Sequence, residues 1–239
     1  MSCILNIETS TSVCSVALSM DGEVLFAKAS FDGPSHAALL GVFVEEALSV
    51  LKKKGKKALD AVAVSSGPGS YTGLRIGVSV AKGLCFGFGI PLIGIHTLDI
   101  MAATVNSKGD SQIVSMTDNC LYCAMLDARR MEVYAAIYDA SLKPVRETKA
   151  DIVEVGTDAS YLEKGKVCFF GNGASKCKSV ITSPNAIFIE DIHPLAVNMI
   201  PLSEQAFAAG KFEDTAYFEP FYLKEFQATV AKNKVLLAR

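Results

Sequence analysis

Val62-Ala63-Val64-Ser65-Ser66-Gly67-Pro68-Gly69-Ser70-Tyr71-Thr72-Gly73-Leu74-Arg75-Ile76-Gly77-Val78-Ser79-Val80-Ala81-Lys82-Gly83-Leu84 reads as a buried strand, a glycine turn and a glycine-rich helix. Val62 to Val64 are apolar and mostly β-branched, which suits a pleated, buried segment. Gly67-Pro68-Gly69 breaks the strand. From Tyr71 on, Leu74, Val78, Ala81 and Leu84 fall at helical spacing. Gly73, Gly77 and Gly83 lie inside that pattern, and each interior glycine costs about 1 kcal/mol of helix stability against alanine. Such a cost implies a close approach of another backbone, helix or ligand. Gly73, Gly77 and Ala81 are four apart and form a smooth ridge, suited to tight packing inside the molecule or between subunits.

Upstream, Ile4 to Glu8 is a short apolar strand that ends in a hydroxyl-rich turn, Thr9-Ser10-Thr11-Ser12. Cys14, Val16, Leu18 and Met20 alternate with smaller residues, Asp21-Gly22 signals a hairpin, and Glu23 to Ala29 returns. Pro34-Ser35 opens a helix to about Gly55 with Ser35 as N-cap. Ile90 to Ile95 is another strand, and Thr97 caps a helix to about Val105. The first hundred residues therefore read β-β-β-α-β-α-β-α, a mixed sheet with helices packed on it. The polar run Asn106–Asp110 marks a boundary, giving an N-terminal lobe over residues 1–105 and a smaller C-terminal lobe over 106–239. In the second lobe, strands are expected at Leu121–Leu126, Glu132–Tyr138, Pro144–Glu147, Val167–Phe170 and Ala186–Ile189. A helix is expected after His193-Pro194, with Pro201 starting a second segment to about Ala209. The charged tail from Lys224 is expected to be loose, partner-bound or packed back on the first lobe.

Composition sets bounds on function. Half of the 239 residues are hydrophobic and the mean hydropathy is +0.32, so a large core is available and disorder is excluded as a class. No apolar run approaches the roughly 20 residues of a membrane helix, and no basic leader precedes the first strand, so a cytoplasmic protein is expected. Seven cysteines scattered through apolar segments suggest buried, reduced thiols, including the Cys120-x-x-Cys123 pair. The net charge of −2 argues against a broad nucleic-acid surface, and the Lys52–Lys57 cluster is explained by a solvated helix end.

The loops offer weak candidates for chemistry. Gly67–Gly73 fails the P-loop test because no Gly-Lys-Ser/Thr closes it, and fails the dinucleotide fingerprint because Thr72 stands where the third glycine belongs. Glu8, Thr9 and Ser10 could orient a metal-phosphate or merely tie down a turn. Gly171-Asn172-Gly173-Ala174 precedes a helical pattern, so its amides could face an anion. Asp127-Ala128-Arg129-Arg130 is either a charged hairpin connection or a polar contact surface. The three histidines are far apart, with no HxxxH and no GxSxG.

Taken together, Ile4–Thr11, Gly67–Gly77, Ala81–Leu84, Asp127–Tyr134 and Tyr222-Leu223 after Pro220 resemble the bacterial TsaB (YeaZ) family. The resemblance implies an actin/hexokinase/Hsp70-like fold of two related α/β lobes. It also implies a non-catalytic role in making threonylcarbamoyladenosine in tRNAs that read codons starting with A. The catalytic paralogue, TsaD, carries a metal on an HxxxH pair. The matching positions here are Thr97 and Met101, neither suited to such a site, so no catalytic residue, no intrinsic cofactor and no metal are expected. The implied partners are a TsaD-like paralogue, a TsaE-like ATPase and, through the complex, tRNA. A homodimer is expected when the chain is alone, and ATP or ADP only in the assembled complex. Ser70, Tyr71, Gly73, Leu74, Gly77, Val78 and Ala81, with neighbours around Glu45, are the expected partner interface. A small-molecule kinase of the same superfamily is the alternative; it would hold nucleotide between the Glu8 and Gly171–Ala174 loops.

Overall fold

The computed structural model describes residues 2–33, 35–55, 58–107 and 120–224. The expected boundary at Asn106–Asp110 lies partly outside these residues, as do Pro34 at the first helix start and the tail beyond Lys224.

The first sheet has five strands: β1 (Cys3–Glu8), β2 (Cys14–Met20), β3 (Glu23–Ser30), β4 (Ala61–Gly67) and β5 (Leu92–His96). Their order is β3-β2-β1-β4-β5. β1–β2 and β2–β3 are antiparallel, whereas β1–β4 and β4–β5 are parallel. Asp21 and Gly22 both take positive φ at the β2–β3 turn, as a two-residue hairpin loop requires. Helices α1 (His36–Lys53) and α2 (Tyr71–Phe88) cover one face of this sheet. There Phe43, Val44, Ala47, Val78 and Ala81 pack onto Leu5, Ile7, Val62 and Val64. Ser35 precedes α1, but its hydroxyl turns back to the Gly33 carbonyl and leaves the helix end uncapped.

The second sheet repeats this plan. β6 (Leu121–Asp127), β7 (Glu132–Tyr138), β8 (Pro144–Ile152), β9 (Val167–Phe170) and β10 (Ala186–Ile189) run in the order β10-β9-β6-β7-β8. Again a three-stranded antiparallel meander continues through its first strand into two parallel strands. Each sheet has the same strand order in its own sequence, which is the two-lobed actin/hexokinase/Hsp70-like plan. β8 is longer than the sequence indicates, because its outer half carries charged and exposed residues that mask the strand period.

Helix α3 (Thr97–Ser107) lies between the sheets, its Leu98, Met101 and Ala102 packing on Tyr122, Ala124 and Phe170. The short helices α4 (Ala159–Leu162) and α5 (Ala174–Cys177) cover the far face of the second sheet. The final helix, α6 (Ala196–Ala208), returns to the first sheet, where Met199 and Ile200 bury against Ile4, Ala17 and Ile93. It is one helix with Pro201 inside it, not two segments. Burial of its apolar face outweighs the one hydrogen bond that Pro201 cannot donate. Residues 209–221 then run across the first lobe. Glu213 pairs with Leu92 on the open edge of β5, and the Lys82 ammonium donates to the Ala216 and Phe218 carbonyls.

Candidate functional site

The chain's candidate residues gather where β1, β4 and α2 meet. The Glu8 carboxylate is fully buried at the end of β1. Its Oε1 accepts from the Ser10 backbone N–H and from the Ser10 hydroxyl, both at 2.5 Å, while Oε2 has no partner among the described residues. Burial pushes the Glu8 carboxyl up to about 7, against the pull of hydrogen bonds from Ser10 and Ser65. The turn after Glu8 is committed too. The Thr9 hydroxyl donates to the Gly73 carbonyl at 2.8 Å, and the Ser10 carbonyl accepts from the Ser70 N–H at 2.6 Å. The His36 Nε2 bonds to the Thr11 carbonyl at 2.8 Å. Thr9 and Ser10 are buried. Glu8, Thr9 and Ser10 thus form a closed joint with α2, not an open phosphate loop.

This joint explains the glycines. A Cβ on Gly73 would stand 2.1 Å from the Thr9 carbonyl oxygen, and one on Gly69 2.4 Å from the Ser10 carbonyl oxygen. Gly73, Leu74, Gly77, Val78 and Ala81 are all buried against the chain's own β1 turn and first sheet. They do not present a ridge to another subunit, which corrects the expectation drawn from their spacing. Periodicity reveals that a helix has a small face but not which neighbour uses it. Of the expected interface residues, only Ser70 and Tyr71 reach the surface. Ser70 caps the helix by accepting from the Gly73 N–H, and the Tyr71 ring packs on Tyr222 at 5.0 Å beneath the Arg75 guanidinium.

The outward face of α2 carries Thr72, Ser79, Gly83 and Phe86, the last 89% exposed. On α1 it carries Gly41, Val42 and Glu45. Among the described residues, nothing lies within 4 Å of a Cβ built on Gly41 or Gly83.

The second candidate loop is likewise filled. Gly171 has φ +97°, and a Cβ there would meet the Met101 methyl at 2.1 Å and the Met125 carbonyl oxygen at 2.4 Å. The Gly173 N–H donates to the Met125 carbonyl, and the Ala174 N–H to that of Gly171. Those two amides are already donated within the chain, and Gly171 and Gly173 allow the loop to pack closely on Met101, Met125 and Leu126. The two candidate loops belong to different sheets, one following β1 and the other β9. Thr97 and Met101, one turn apart on α3, are fully buried; Met101 fills the space under Gly171, and the Thr97 hydroxyl has no hydrogen-bond partner among the described residues. Among the described residues no group of three or more His, Cys, Asp or Glu could hold a metal ion. All seven cysteines are buried, and burial pushes the Cys14 and Cys85 thiols up to about 11.

A cleft of about 440 Å³ between α3, β7 and β8 includes His96, Asp99, Tyr138, Glu147 and Phe221 in its lining. The Tyr138 hydroxyl donates to Asp99 at 2.6 Å. None of the sequence candidates lines this cleft. Its residues come from separate elements without a shared spacing, so no motif could have pointed to it.

Among the described residues, no helix is long and apolar enough to cross a membrane. A family model described as TsaD, tRNA N6-adenosine threonylcarbamoyltransferase, matches residues 33–232. The chain is 32% identical over 232 residues to the tRNA threonylcarbamoyladenosine biosynthesis protein TsaB of Escherichia coli, covering 92% of this chain and 94% of that protein. A tRNA N6-adenosine threonylcarbamoyltransferase of Nitratidesulfovibrio vulgaris is 38% identical over 112 residues, 41% of this chain and 31% of that protein. The structure of YeaZ from Pseudomonas aeruginosa superposes with a TM-score of 0.76 at 26% identity, covering 93% of this chain and all of that one. The chain belongs to the TsaB branch of the TsaD family.

Proposed function

We propose that the chain is a non-catalytic, cytoplasmic subunit of the complex that transfers a threonylcarbamoyl group to N6 of an adenosine in tRNAs reading codons that start with A. The observation that carries this reading is the state of α3. Where the catalytic paralogue is expected to place paired histidines, this chain has a buried threonine and a methionine packed beneath Gly171. A methionine thioether suits neither zinc nor iron in a hard site, and the packing leaves no open coordination position. Its contribution is then structural: it supports a TsaD-like paralogue, with a TsaE-like ATPase and tRNA joining through the complex, and nucleotide held only there.

The docking surface of this reading is the outward face of α1 and α2, with Val42, Glu45, Ser79, Gly83 and Phe86. Gly41, Ser79 and Gly83 are small and exposed there and Phe86 adds an exposed aromatic ring, so a partner helix pair can approach closely. The same face would pair two copies when the paralogue is absent. The kinase alternative needs two open phosphate loops, and both candidates are filled by the chain's own packing. The test is to deplete the protein and measure threonylcarbamoyladenosine in bulk tRNA. Loss of the modified nucleoside is expected; an unchanged level overturns the reading.

A further inference from the structure

We infer that the β6–β7 hairpin tip is an RNA-backbone contact, in which the guanidiniums of Arg129 and Arg130 take phosphate oxygens of the substrate tRNA. The inference rests on the proposed function above and names the surface by which this subunit touches RNA.

The hairpin loop, Ala128–Met131, holds two successive arginines at positive φ, +70° for Arg129 and +49° for Arg130. Asparagine or glycine takes such positions with less strain, so these side chains are not there for the turn. The loop is nevertheless held firmly. The Asp127 carboxylate accepts from the Arg129 N–H at 2.9 Å. The Lys176 ammonium reaches up from α5 and donates to the Arg130 carbonyl at 2.7 Å and the Glu132 carbonyl at 2.6 Å. The Met131 carbonyl accepts from the Val153 N–H at 2.7 Å. The loop backbone is therefore preorganised, so binding has only the two arginine side chains to order.

The charges around it are balanced in a particular way. Asp127 pairs with Lys176, and Glu132 pairs with Lys224. The local acids are thus consumed by lysines, and both arginine side chains are exposed with no acidic partner among the described residues. A chain of net charge −2 so presents a small cationic point with two forks suited to phosphate. An acidic protein surface would satisfy the same charge, and loss of co-elution with the paralogue is the outcome that would assign it.

The test uses the assembled complex with the catalytic paralogue and an unmodified tRNA transcript, read by fluorescence anisotropy across a salt series. The double variant R129N/R130N places residues that accept positive φ at both positions. Its thermal midpoint should equal or exceed that of the wild type, and it should co-elute with the paralogue normally. Its tRNA affinity should fall by about 25- to 60-fold at 0.1 M salt, and the salt slope should flatten by about 1.4 to 1.8, as loss of two phosphate contacts requires. R129K/R130K should keep the slope, because both charges remain, and lose part of the affinity, because an ammonium forms no fork. Unchanged affinity and slope in R129N/R130N overturn the inference while leaving the subunit reading intact. Loss of co-elution with the paralogue also overturns it, by assigning the arginines to a protein contact. Persistence of modified tRNA after depletion of the whole chain instead overturns the subunit reading.

Discussion

Gly77 lies so close to Thr9 that a Cβ built on it would stand 2.3 Å from the threonine hydroxyl oxygen. That oxygen is already fixed by its hydrogen bond to the Gly73 carbonyl, so it cannot give way cheaply. The glycines of α2 therefore serve the joint between the first strand's turn and the helix that follows β4.

Gly77→Ala is expected to destabilise the fold by roughly 1–3 kcal/mol, because overpacking outweighs about 1 kcal/mol gained in helix propensity. Gly73→Ala should cost more, since its clash is with backbone. Gly83→Ala, in the same helix but facing open space, should stabilise by about 0.5–1 kcal/mol. Urea unfolding of the three variants decides the matter; equal effects would contradict the joint.

The outward face of α1 and α2 predicts a different pattern. Ser79→Arg and Val42→Arg replace exposed side chains, so each should move stability by no more than about 0.5 kcal/mol. Each should abolish co-elution with the catalytic paralogue and self-association of the isolated chain in size-exclusion chromatography. Wild-type elution profiles would place the interface elsewhere.

Much of the fold was legible because its cores alternate or repeat cleanly. The β1–β3 meander follows from Cys14, Val16 and Leu18, and β9 from the short apolar run Val167–Phe170. The site was less legible, for two physical reasons. Small residues signal close approach without naming the neighbour, so Gly73, Gly77 and Ala81 fit an internal joint as well as an interface. A buried turn such as Glu8-Thr9-Ser10 has the same composition as a ligand loop, and only the positions of Gly73 and Ser70 show that its hydroxyl and carbonyl are already used. The paired charges around Arg129 and Arg130 depend on Lys176 and Lys224, both distant in sequence.

Glu8 makes stability depend on pH. Its carboxyl titrates near 7 in the folded chain against an ordinary 4.5, so the folded state binds the proton more tightly. The stabilising contribution is fully present below about 4.5 and is lost as pH rises through 7, on the order of 3 kcal/mol. Glu8→Gln should remove this slope, so the difference in unfolding free energy between variant and wild type should grow in the variant's favour from pH 5 to pH 8. A constant difference over that range would show that Glu8 titrates normally.

Thr97 separates a supporting role from a catalytic one. Its hydroxyl is buried without a hydrogen-bond partner among the described residues, at the α3 position where a metal histidine is expected in the paralogue. A buried hydroxyl left unpaired costs about 1–3 kcal/mol, and valine keeps the branched shape without that polar atom. Thr97→Val should therefore raise stability by roughly 1 kcal/mol in urea unfolding. A group needed for chemistry cannot be exchanged in this way without loss of rate. The reconstituted complex carrying Thr97→Val should make threonylcarbamoyladenosine at the wild-type rate. A stabilised variant with tenfold slower modification would mean that the Thr97 hydroxyl contributes to the reaction, and the non-catalytic reading of this chain would fall.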